Sequence, residues 1–178
     1  VSGEPIETID KMTHWSGWRH GPVSFPDYMN PLIPETLKGG KLIDFGDKGQ
    51  LLVVIAPENY VSEKDGQAIE KISGWVRKKT GIKSVRISSS DFKDISTNHN
   101  MIFLGTLDTN KKAKRVLSLL NENDFLKDLG PNGYRIKMFD NPHNDKKMIF
   151  ALGKTEKASW HAAIVIYFAI HKARVGKL

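Results

Sequence analysis

This chain of 178 residues contains no cysteine. A disulfide framework, a thiol nucleophile and a cysteine-ligated zinc site are therefore excluded, although the absence says little about compartment. Long hydrophobic runs are missing too. The longest unbroken apolar stretch, Ala162–Ile170, falls far short of the ~20 residues a bilayer-crossing helix needs. It reads as a buried helix, and no membrane span is expected. The chain opens on Val1 rather than methionine, with no basic segment and apolar segment behind it. It reads as mature, processed or cut from a longer chain, any export signal having gone.

Two ligand-binding patterns are begun and not completed. Gly153-Lys154-Thr155 looks like the end of a phosphate-binding loop, but such a loop needs another glycine five positions before its Gly-Lys pair. Met148 stands there, and Ile149, Phe150, Ala151 and Leu152 between them are all apolar and read as strand. No nucleotide cofactor is expected. A zinc-protease helix needs His-Glu-x-x-His, which places two rings on one face with a carboxylate base between them. Here Ala162 follows His161, and His171 lies ten residues on, so no metal is expected and both histidines read as helix-packing or surface residues.

What is present points to one folded unit with an arm. A hydrophobic content of 39% allows a real core at this length. The net charge of +7 is unevenly placed: residues 1–50 hold five of the 27 Lys/Arg and seven of the 20 Asp/Glu, so the later part carries an excess of nine positive charges. Residues 1–40 hold five of the eight prolines together with Trp15, Trp18, Phe25 and Tyr28. They show no sustained period of 2 or 3.6 and read as an extended arm. Residues 41–178 read as the domain proper.

Within the domain, Asp47-Lys48-Gly49 marks a turn between two candidate strands, of which Leu51–Ala56 is the more strongly apolar. Ser62 can cap a helix that Glu63 and Asp65 favour at its positive end, with Ala68, Ile69, Ile72 and Val76 on one face and Gly81 as its stop. Ser84–Ser88 alternates like a half-buried strand, and Met101–Gly105 is apolar throughout like a central one. A basic helix follows at about residues 111–121. The turn cluster Gly130-Pro131-Asn132-Gly133 precedes the strand beginning at Tyr134, and Asn141–Asp145 separates that strand from the one ending near Leu152, which makes a hairpin. The last segment, Glu156 to about Arg174, is apolar on nearly every face and should be the most buried helix. One crossover makes the first two strands parallel and the hairpin adds antiparallel pairing, so the expected architecture is a layered α/β domain with a mixed sheet and packed helices.

Four pieces stand in a particular order: a helix ending Thr80-Gly81-Ile82, a strand ending Leu104-Gly105, a strand opening Gly133-Tyr134, and a strand turning at Gly153 into the closing helix. This order, over about Leu51–Ala173, resembles the small non-catalytic α/β domain that precedes the barrel in hexosaminidases, α-glucuronidases and hyaluronidase-like glycoside hydrolases. At the last turn the chain departs from that pattern, carrying Lys154, Thr155 and Ala158 where the families often have an acidic residue and more glycines. The resemblance implies a zincin-like accessory fold without the zinc motif, in a secreted or periplasmic enzyme. It also implies that the catalytic carboxyl pair lies in the neighbouring catalytic domain of the same polypeptide, so no catalytic residue is expected here. Gly153 then turns the chain off an inner strand; the alternative, an anion held at the helix N-terminus, is the weaker reading.

Two further surfaces carry other functional readings. Trp15 and Trp18 could stack on sugar rings while Arg19 and His20 hydrogen-bond hydroxyls, making the arm a carbohydrate site and the chain a free-standing carbohydrate-binding module. Packing of those rings against the domain is favoured, since each aromatic can remove ~150–250 Å² from water. Lys111, Lys112, Lys114 and Arg115 form a basic run that raises nucleic-acid binding as a third class. It is disfavoured, because apolar core positions adjoin the run and it reads mainly as a solvated helix face.

Overall fold

The computed structural model describes residues 33–38, 42, 51–57 and 83–174. Its strands are β1 (Leu51–Ala56), β2 (Lys83–Ser88), β3 (Asn100–Gly105), β4 (Tyr134–Asp140) and β5 (Lys147–Gly153). Two helices, α1 (Lys111–Leu119) and α2 (Glu156–Arg174), and a short 3-10 turn at Glu35–Leu37 complete the described elements. Most of the arm, the segment before Asp47 and the helix expected after Ser62 lie outside the described residues.

The five strands form one sheet in the order β2-β1-β3-β5-β4. β1 pairs in parallel with β2 and β3, and β3 in parallel with β5. β4 runs antiparallel to β5, with Tyr134 opposite Gly153 and Asp140 opposite Lys147. This is the mixed sheet and α/β layering expected from the sequence. It also explains the composition of the strands: β1, β3 and β5 are apolar on consecutive residues because both faces of the sheet are covered, whereas β4 mixes buried and exposed positions.

Strand alternation divides the core in two. Leu52, Val54, Ile102, Leu104, Ile136, Ile149 and Ala151 face α2, and Ile33, Leu37 and Leu42 join the same cluster. Residues 158–173 of α2 are buried except for the half-buried Trp160, so this is the deeply buried helix that its apolar faces forecast. Ala158, Ala162 and Ala169 are fully buried in this cluster, and each fully buried Ile or Phe on the helix contributes ~1.5–3 kcal/mol. His161 and His171 are 2% and 6% exposed, which makes them interior packing residues rather than surface ones.

On the other face, Val53, Ile55, Met101, Phe103, Met148 and Phe150 pack against Ala113, Val116 and Leu117 of α1 and against Phe92, Ile95, Phe125 and Leu126 from loops. Phe103 and Phe150 are register partners on β3 and β5. Their rings stack at 4.5 Å, while Phe92 and Phe139 meet them edge-on. α1 stops two residues before the expected Asn121. Asn121 takes φ 58° and donates its N–H to Ser118 O, while Glu122 N–H reaches Leu117 O, a Schellman ending in which asparagine supplies the left-handed residue. Among the described residues no helix is long and apolar enough to cross a membrane.

Candidate functional site

In an open α/β sheet ligands usually sit beyond the carboxyl ends of the strands, where neighbouring connections leave in opposite directions. Here that place is between β1 and β3, and the protein's own atoms fill it. Gly105 ends β3 at φ +111°, and a β-carbon there would come within 2.7 Å of Pro57 Cγ. The hydroxyls of Thr106 and Thr109 are 2.9 Å apart, and each accepts the other residue's N–H. Asn110, with no solvent exposure, donates from Nδ2 to Ile55 O at 3.2 Å and to Leu104 O at 2.8 Å. Its Oδ1 accepts from Ala113 N, capping α1. One amide thus closes the ends of two strands and starts a helix.

Gly153-Lys154-Thr155 lies at the same edge, and much of its backbone is tied into the fold. A β-carbon on Gly153 would stand 2.2 Å from Ser159 N, so only glycine allows α2 to approach β5 this closely. Lys154 N–H donates to Gly133 O at 2.9 Å. Thr155 Oγ1 accepts from Ala158 N at 3.2 Å, and Thr155 O from Ser159 N. Residues 147–153 are strand throughout, which leaves no glycine-rich loop to cradle phosphates.

Solvent reaches this edge through an open polar cleft of about 340 Å³, bordered by Thr106, Asp108, Lys114, Asp124, Gly153 and Lys154. A second cleft of about 520 Å³ runs from Asn121 and Glu122 to Arg135 and Lys137 on β4. Arg135 donates to Phe125 O and Lys137 bridges Glu122 at 3.1 Å. Asp108 and Asp124 are exposed, and the nearest cation to Asp124 is Lys127 at 4.0 Å.

Trp15, Trp18, Arg19 and His20, the alternative sugar site of the arm, lie outside the described residues, so neither that reading nor the favoured packing one is placed. His161 and His171 are buried on α2, and among the described residues no group of three or more His, Asp or Glu could hold a metal ion. The basic run is on α1 as expected, with Lys111, Lys114 and Arg115 exposed and Lys112 half-buried. Its apolar neighbours are not all interior: Leu119 is 67% exposed. Sequence reasoning missed Asn110, although an asparagine directly before a helix is a cap signal. It also missed the two clefts, which come from a segment without periodicity. No protein-family model matches the chain, and no curated protein matches it.

Proposed function

We propose that this chain is a non-catalytic accessory domain of a secreted or periplasmic carbohydrate-active enzyme, a glycoside hydrolase, that packs against a neighbouring catalytic domain. The reading rests on the ordered resemblance between Leu51 and Ala173. The single structural observation supporting it is the closure of the β1–β3 crevice by Asn110, Pro57 and the Thr106–Thr109 pair. A scaffold that seals its usual ligand position with its own side chains favours a packing role for the sheet.

The carboxylates point the same way. Glycoside hydrolysis places two carboxyl groups ~5–10 Å apart, and the acid member keeps its proton because a dry, apolar setting disfavours its charge. Asp108 and Asp124 line an open, solvent-exposed cleft rather than a dry, apolar one. The test is an assay of this chain alone against a panel of aryl glycosides, where no turnover is expected.

A further inference from the structure

Asn123 and Asp124 border both clefts, so the two adjoin along these residues; taken together as one groove, their lining reaches from Lys154 and Thr106 at the carboxyl edge to Arg135 and Lys137 on β4. We propose that this groove binds an extended acidic glycan, a polysaccharide carrying carboxylate groups beside free hydroxyls. The inference extends the accessory-domain reading but does not depend on the parent enzyme.

Charge states the first requirement. Lys114 and Lys154 come from different elements, border the same cleft and bridge to no carboxylate among the described residues. Lys111 and Arg115 stand exposed on the same helix as Lys114. Cations without internal partners on a concave wall favour an anionic ligand. The second requirement comes from the residues between them. Asn121, Asn123, Asp108 and Asp124 offer amides and carboxylates, which donate to and accept from hydroxyls.

A nucleic acid fits this lining less well. Single strands are held by bases stacked on open aromatic faces, whereas Phe125 is 2% exposed and the half-buried Phe139 carries the Lys137 ammonium over its ring at 4.9 Å.

The experiment titrates the 178-residue protein with oligogalacturonate, with the same oligomer after reduction of its carboxylates to alcohols, and with a single-stranded oligonucleotide, following backbone amides by NMR. The expected result is saturable oligogalacturonate binding that moves the Asn123, Asp124 and Lys154 amides. Binding should weaken at least ~tenfold in Lys114→Glu/Lys154→Glu, while Lys93→Glu, an exposed charge reversal outside the groove, leaves it unchanged. The proposal is overturned by an absence of binding, by equal binding of the reduced oligomer, by equal weakening in Lys93→Glu, or by tighter binding of the oligonucleotide. Glycan binding and glycosidase turnover are separate readouts, so failure here is distinguishable from failure of the accessory-domain reading.

Discussion

Gly153 and Lys154 are adjacent but unequal in structural weight. A methyl group on Gly153 meets backbone at 2.2 Å, and backbone cannot swing aside like the end of a side chain. Gly153→Ala should therefore cost at least ~2–3 kcal/mol in denaturant unfolding, while Lys154→Ala, at an exposed position, should stay within ~0.5 kcal/mol. A phosphate-binding loop would instead lose ligand binding with the lysine. Tyr134 on β4 is as sensitive to its burial. Its ring is fully buried and its hydroxyl has no hydrogen-bond partner among the described residues. Burial pushes the phenol well above its ordinary value of 10.0. The folded state then keeps the proton that the unfolded chain releases, so this residue's contribution is fully present below about pH 10 and falls as pH rises beyond it. Tyr134→Phe should raise stability by ~1 kcal/mol and flatten the alkaline loss seen in thermal unfolding at a series of pH values. An unchanged alkaline slope would contradict the assignment.

At the scale of elements, Asn110 connects β1, β3 and α1 through three hydrogen bonds. Asn110→Ala removes the cap and leaves two buried carbonyls without their donor, at ~2–4 kcal/mol. Asn110→Asp retains the cap acceptor but directs an anion at the same carbonyls, so it should recover none of that loss. Hydrogen exchange should then accelerate first at the carboxyl ends of β1 and β3, and uniform acceleration across the sheet would argue against a local tie. The elements themselves were legible in the sequence. Leu51–Ala56 and residues 101–105 and 148–152 are apolar runs too short for helices, and a strand covered on both faces produces that pattern. α2 was legible from its apolar surface on every side. The left-handed Asn121 and the end of α1 were not, because they depend on which carbonyls the chain meets as it turns. The groove was less legible still. Its Asn123-Asp124 pair, Arg135 and Lys154 lie on separate stretches of the chain and come together only once β4 pairs beside β5.

For the whole molecule, the proposed accessory role makes the sheet a scaffold with its β1–β3 crevice closed by Asn110, Pro57 and the Thr106–Thr109 pair, and assigns the glycosidase chemistry to a neighbouring domain. A ligand selective for the folded state raises the melting temperature by mass action. Neither ATP nor zinc should do so here, and a saturable rise lost on Lys154→Ala or His161→Ala respectively would reassign that residue. The most direct measurement is turnover of aryl glycosides by the purified 178-residue chain, alongside Asp108→Asn and Asp124→Asn. A scaffold role requires no turnover by any of the three proteins. Hydrolysis that persists through further purification and disappears in either variant would contradict it.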